Sequence, residues 1–142
     1  MRFWDSSAIV PLLTTEASSS WVQAELELDP SVVVWWGTEV ECTSALTRLE
    51  RDGALSAREV TAATERLAAM VGEWDEVRPV ERIRPLAERL LRTHPLRAGD
   101  AIQLAAAILA ADANPDSLPF MTLDDRLALA AEREGFPVVE PA

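Results

Sequence analysis

Short apolar runs alternate with longer amphipathic stretches along this chain, and turn residues separate them. Arg2 to Trp4 reads as a first strand that ends on Asp5. Residues 8–13 read as a short helix in which Pro11 is tolerable only in the first turn. Trp21, Val22, Leu26 and Leu28 give residues 15–28 a helical stripe, closed by Asp29-Pro30. Residues 32–36 are continuously apolar, as in a parallel strand buried on both faces. Gly37 ends that run. Thr38 then starts a helix to about Arg51, with Val40, Ala45, Leu46 and Leu49 as its apolar face and Asp52-Gly53 as its stop. Ser56 and Glu59 form a capping box for the next helix, which runs to about Gly72. Residues 76–80 are a weaker strand, confined by Pro79 to an edge or an end. Residues 83–93 are helical with Leu86, Leu90 and Leu91 inward, and the alanine-rich stretch 96–111 predicts a central helix. After a loop over 114–119 come a short strand at 120–122, a helix over 125–134 stopped by Gly135, and a last short strand over 137–139.

Strands alternating with helices predict an α/β fold in three layers, α/β/α, with a central parallel sheet of four to five strands. The expected organisation is a single domain over residues 1–142. In such sheets ligands bind at the carboxyl ends of the strands. The apolar fraction of 49% suits a buried core, yet no run approaches the roughly 20 residues that span a bilayer. The start lacks a cationic segment followed by an apolar one, so the expected location is the cytoplasm, with no membrane partner.

Composition narrows the chemistry. The one cysteine, Cys42, excludes an internal disulfide framework, and the one histidine, His94, excludes the common His-rich metal sites. Cys42 reads as a small core residue and His94 as an exposed loop residue. The net charge of −11 argues against nonspecific coating of nucleic acid, although metal ions and local arginines can supply positive charge at a site. All 13 basic residues are arginine, and there is no lysine.

Four acidic stretches fall at predicted strand ends or helix starts. Asp5 lies between Trp4 and Ala8-Ile9-Val10, and reads equally as a helix cap or as a functional carboxylate. Thr38-x-x-Glu41 matches a capping box, so position alone favours capping for Glu41. Asp100 opens the alanine-rich helix in crowded, apolar surroundings. Asp124 and Asp125 follow a short strand, where one suffices as a cap. One parallel fold would bring these acids together. Gathered carboxylates repel one another, so something cationic must hold them ionised, and ligands that are all oxygen suit Mg²⁺ or Mn²⁺. Arg78, Arg82, Arg84, Arg89, Arg92 and Arg97 make a locally basic stretch, read either as a solvated helix face or as a track for an RNA backbone; Arg82 and Arg97 are the candidates for substrate contact.

Taken in order, Asp5-Ser6-Ser7, Thr38-Glu39-Val40-Glu41 with Ala45-Leu46, Leu96-Arg97-Ala98-Gly99-Asp100-Ala101-Ile102-Gln103-Leu104-Ala105 and Thr122-Leu123-Asp124-Asp125-Arg126-Leu127 with Ala130-Ala131 and Gly135-Phe136 resemble the PIN-domain ribonucleases, in particular the VapC toxins of type II toxin–antitoxin systems. The resemblance covers nearly the whole chain and rests on the ordered set. It implies a PIN-like fold and an endoribonuclease that hydrolyses RNA phosphodiesters with a metal-activated water. It implies Asp5, Glu41, Asp100 and Asp124 as the catalytic, metal-holding acids, with Ser6 and Thr122 in support and Asp125 ranked below Asp124. It also implies Mg²⁺ or Mn²⁺, an RNA substrate, a VapB-like antitoxin and a homodimer. Gly37-Thr38 stands where the family pattern has a Thr-Ser pair, so the pattern does not say what supports Glu41.

Two rival classes share this outline. An aspartyl-phosphate domain ordinarily uses a lysine near the phosphoryl group, and none is present; its phosphatase form also wants an acid where Ser7 stands. A catalytically silent PIN-like binding module is the alternative kept open, although the intact acids at all four family positions count against it.

Overall fold

The structure, a computed structural model, describes residues 1–141. Its five strands are β1 (Arg2–Trp4), β2 (Val32–Trp35), β3 (Asp75–Val77), β4 (Phe120–Met121) and β5 (Val138–Val139). They form one parallel sheet in the order β3-β2-β1-β4-β5. β1 is central, with Phe3 opposite both Val33 and Phe120. The chain moves outward from β1 through β2 to β3, then returns to the other side for β4 and β5. The order therefore reverses beside β1, which is where open sheets of this kind bind ligands.

Alternate residues on each strand face opposite sides. Phe3, Val33 and Phe120 join α5 (Ile83–Thr93), α6 (Ala98–Ala111) and α7 (Asp125–Arg133) through Leu90, Leu104 and Leu127. Trp4, Val32, Val34 and Met121 join α1 (Ser6–Leu13), α2 (Ser19–Leu28), α3 (Thr38–Arg51) and α4 (Ala57–Val71) through Ile9, Val22, Leu46 and Leu67. Both faces are thus covered, which is why the β2 run carries no polar alternation. The rings of Phe3 and Phe120 stack at 5.3 Å, and Phe136 meets Phe120 edge-on at 5.7 Å. No helix among the described residues is long and apolar enough to cross a membrane.

The elements follow the expected order, with local differences. α1 begins two residues earlier than expected, because Asp5 accepts the Ser7 amide and caps it. Pro11 therefore lies beyond the first turn, and the carbonyl of Ser7 has no amide to receive from that position. α2 starts only at Ser19, and Leu28 is 73% exposed at its end. On α3 the buried stripe is Thr38, Cys42 and Leu46, spaced four apart, so Val40 points outward and is 68% exposed. On α5 Ile83, Ala87 and Leu90 are inward, and Leu91 is exposed. The Ser56–Glu59 capping box forms as expected, and Gly135 takes the positive φ that ends α7. His94 is buried, contrary to the loop reading. It caps α5 where the end of that helix meets the end of α7. Its Nε2 lies 2.7 Å from Glu134, which also receives Arg89 at 2.9 Å.

Phe120 is fully buried and joins both ring contacts. Phe120→Ala is expected to cost about 3–5 kcal/mol in denaturant unfolding. A cost below about 1 kcal/mol would contradict this packing.

Candidate active site

The site begins with β1, which drives Asp5 to the carboxyl edge of the sheet. The Asp5 amide donates to the Met121 carbonyl at 3.0 Å, so β4 holds it from the neighbouring strand. Its carboxylate is 3% exposed and is met by hydroxyls. Thr122 Oγ1 donates to Oδ2 at 2.9 Å, and Ser7 Oγ donates to the same oxygen. Both hydroxyls are themselves held: Ser7 Oγ accepts the Leu123 amide at 2.9 Å, and Thr122 Oγ1 accepts the Asp124 amide at 3.0 Å.

β2 and Gly37 lead into α3, whose first turn presents Glu41. Ser6 Oγ donates to Glu41 Oε2 at 3.0 Å, and Gln103 Nε2 donates to Oε1 at 3.2 Å. The same Gln103 amide reaches Thr38 Oγ1 at 3.2 Å. The Thr38–Glu41 capping box suggested by sequence does not form. Gly37 is the cap residue and no side chain caps α3, because Thr38 is buried and bonded to Gln103. Asp124 caps α7, its Oδ1 accepting the Leu127 amide at 3.0 Å. Asp100 stands in the first turn of α6.

Glu41, Arg48, Asp100 and Asp124 border two adjoining chambers. The inner chamber, of about 350 Å³, adds Asp5, Ser6, Ser7, Val10, Ser44 and Ala45. The outer one, of about 650 Å³, adds Arg97, Gly99, Asp125 and Arg126. The structure thus brings Asp5, Glu41, Asp100 and Asp124 to one cleft, with Ser6 and Thr122 bonded to them. Arg97 is on its wall. Arg82, at the start of α5, borders neither chamber. Another cavity, of about 410 Å³, is lined by Trp35, Val80, Ile83, Leu91 and Ile102 and contains none of the four acids.

No family model matches the chain. Two proteins of Mycobacterium tuberculosis align with it almost end to end. Ribonuclease VapC45 of strain CDC 1551 / Oshkosh and Ribonuclease VapC49 of strain ATCC 25618 / H37Rv are each 32% identical, over 94% of this chain and 90% of theirs. The chain belongs to the VapC ribonuclease family. A chain of a toxin–antitoxin complex from Klebsiella pneumoniae has the same fold, with a TM-score of 0.66 at 18% identity over 100% of this chain and 98% of that one.

The electrostatics of this VapC cleft are one-sided. Among the described residues none of the four acids has a cationic nitrogen within 4.0 Å. Burial pushes the Asp5 carboxyl up to about 6; the Ser7 and Thr122 hydroxyls oppose the rise, and the charges of Glu41 and Asp100 add to it. Glu41 is raised by burial and by Asp100, against the hydrogen bonds from Ser6 and Gln103. Asp100 is raised by burial and then by Asp124, while Arg97 and Arg126 pull it down. Among the described residues no three acid, histidine or cysteine side chains stand close enough to make a ready-made metal cage. The donors instead ring a chamber. That arrangement fits a small hard cation, which is held through few carboxylates and keeps several waters.

Four contributors were missed by sequence reasoning: Ser7, Gln103, Arg48 and Arg126. Two carried a signal. Gln103 is the only polar side chain between Ala101 and Ala111, one turn from Asp100. Arg48 lies seven residues after Glu41, two turns along the same helix face.

Asp5 titrates from its ordinary value of 3.8 when unfolded to about 6 when folded. Its contribution to stability is complete below about pH 3.8 and is lost as pH rises through about 6. Above that, the metal-free fold carries a penalty of about 3 kcal/mol. Asp5→Asn is therefore expected to raise the melting temperature in EDTA by roughly 5–10 °C at pH 8 and to change it little at pH 4. Equal shifts at the two pH values would contradict the burial argument.

Proposed function

We propose that this chain is the toxin of a type II toxin–antitoxin pair, an endoribonuclease dependent on Mg²⁺ or Mn²⁺. The observation that carries the reading is the cleft itself. Four carboxylates from four separate elements line it with no paired cation, an arrangement that costs stability unless a cation is to be held there. The ribonuclease names of two relatives supply the substrate class.

Asp5, Glu41 and Asp100 would hold the ion, and Asp124 would complete the set. The chemistry such an ion supplies is neutralisation of phosphoryl charge and a lowered pKa for water. The chain's own residues do the positioning. Ser7 fixes Asp5 from α1, and Thr122 from the end of β4. Ser6, within 3.5 Å of Asp5 Oδ1, spans Asp5 and Glu41. Gln103 fixes Glu41 from α6. The buried thiol of Cys42 is pushed up to about 12, which removes it as a nucleophile. A catalytically silent PIN-like module is the second reading, favoured by the lack of a ready-made cage among the described residues.

Asp100→Asn is expected to abolish RNA cleavage with Mn²⁺ while the protein stays folded. Glu41→Gln should lose Mn²⁺ affinity with little change in melting temperature, and Asp124→Asn should harm activity more than Asp125→Asn. Full activity in Asp100→Asn would overturn the assignment, and no Mn²⁺ binding by the wild-type chain would favour the silent module.

An unrestrained ribonuclease in the cytoplasm would damage its own cell, so a VapB-like antitoxin is the proposed partner. An arginine of that partner could enter the cleft and pair with its carboxylates, and a net charge of −11 would steer a basic partner toward it. A homodimer is proposed with it; exposed Trp36, Val40, Val80 and Leu91 offer apolar surface. Expression of the chain alone should arrest growth, and co-expression of the antitoxin should relieve the arrest. Unchanged growth alongside good cleavage by purified protein would make it a housekeeping nuclease instead.

A further inference from the structure

Gln103 is the one polar side chain on the buried face of α6, among Ala101, Leu104, Ala105, Ala106 and Ala107, and no solvent reaches it. An apolar residue there would spare α6 the burial of an amide. The helix keeps the amide even though its Oε1 meets no donor. The stability of α6 does not account for this residue.

What the amide does is join two layers. α3 lies on one face of the sheet and packs against α1 and α4, while α6 lies on the other and packs against α5, β2 and β3. Glu41 stands on α3 and Asp100 on α6, so apolar packing between their own helices does not hold these two acids together. Gln103 Nε2 crosses from α6 and donates to Glu41 Oε1 and to Thr38 Oγ1, each at 3.2 Å. Residue 103 is one turn along α6 from Asp100, so the same tie sets where Asp100 stands relative to Glu41. The other Glu41 oxygen receives Ser6 at 3.0 Å, from α1 in α3's own layer. With both oxygens tied, Glu41 has little freedom to follow an ion of a different size.

We propose that Gln103 is a positioning residue that makes the cleft select cations by size: by bracing Glu41 against α6 it fixes the spacing of Glu41 and Asp100, and so favours a small ion such as Mn²⁺ or Mg²⁺ over Ca²⁺. This rests on the metal-dependent reading above. A small divalent ion demands near-ideal geometry from its ligands, whereas Ca²⁺ accepts more oxygens at longer and more variable distances. Carboxylates braced at one spacing serve the small ion, and carboxylates free to shift serve Ca²⁺ as well. Loss of the brace therefore costs Mn²⁺ more than Ca²⁺.

The test is binding to the RNA-free chain, with Mn²⁺ measured by calorimetry and Ca²⁺ by its competition with Mn²⁺. Gln103→Met keeps the length of the side chain and removes both hydrogen bonds. It should weaken Mn²⁺ binding about tenfold to a hundredfold, the usual effect of removing a group that orients a metal ligand, and weaken Ca²⁺ binding less than about threefold. Leu104→Val, at the next position of α6 and buried among apolar side chains, controls for loosening of the helix and should leave the ratio of the two affinities unchanged. Thermal melts in EDTA confirm folding. Gln103→Asn, which keeps the amide but falls a methylene short of Glu41, stands in if the methionine variant does not fold. An unchanged Mn²⁺ affinity, an equal loss for both ions, or the same change of ratio in Leu104→Val would overturn the proposal. So would a wild-type chain that binds Ca²⁺ at least as tightly as Mn²⁺. If the wild-type chain binds neither ion, it is the metal-dependent reading that fails.

Discussion

A carboxylate buried without a cation is the constraint from which the rest of this structure follows. Asp5 sits at the end of the central strand, nearly without solvent, with only hydroxyls and one amide to satisfy it. Those hydroxyls are not free rotors. Each receives a backbone amide from the segment after β4, so each has a proton left to direct at Asp5. Keeping such a group ionised costs free energy, and the two apolar layers around the sheet must offset it. A protein built for stability alone would not place an acid there, and sites that serve chemistry commonly carry such a cost.

The parallel topology explains why Glu41 and Asp124 arrive at the same place as Asp5, while Asp100 comes from the turn between α5 and α6. Every strand points the same way, so every crossover from strand to helix passes the same edge. Residues far apart in sequence, Asp5, Glu41, Asp100 and Asp124, are all within a turn of a helix start. A helix start tolerates an acid through its dipole and its free amides. Capping and a place in the cleft are therefore not competing accounts. Asp5 and Asp124 do both: each accepts one backbone amide and still lines the inner chamber.

Much of this was legible in the sequence, and the failures have physical reasons. The order of strands and helices could be read because both faces of the sheet are covered, which makes β2 continuously apolar and leaves the helices amphipathic. Asp5, Glu41 and Asp124 could be placed because each comes shortly after an apolar run, and Asp100 because it opens the alanine-rich helix. Inward and outward assignments failed at Val40 and Leu91, where apolar residues sit one step off the buried stripe and hydrophobicity alone does not choose between neighbours. His94 was misread because its partner is Glu134, forty residues on, which it meets only when the ends of α5 and α7 pack. Ser7 was missed for a similar reason. Besides Asp5, its partners are Thr122 and Leu123, more than a hundred positions away, and nothing local marks it as different from Ser6.

The departure at Gly37-Thr38 shows how one packing choice moves a function from one element to another. A side chain at residue 37 would meet the Trp35 indole, since a Cβ built there lies 2.5 Å from Nε1. Glycine lets that ring lie against the backbone, so no hydroxyl can be supplied from this position. The neighbouring Thr38 is buried and does not turn toward Glu41; it accepts a hydrogen bond from Gln103 instead. Gln103 then joins Ser6 in reaching Glu41, from the opposite helix. Its own carbonyl oxygen is buried without a partner, which is the cost of aiming both of its donor contacts at α3. An amide rotated the other way could still accept from the Thr38 hydroxyl, but it would set its oxygen against the Glu41 carboxylate. The unsatisfied oxygen is thus the mark of an amide held in place by the carboxylate it serves, and it ties α6, which carries Asp100, to the helix that carries Glu41.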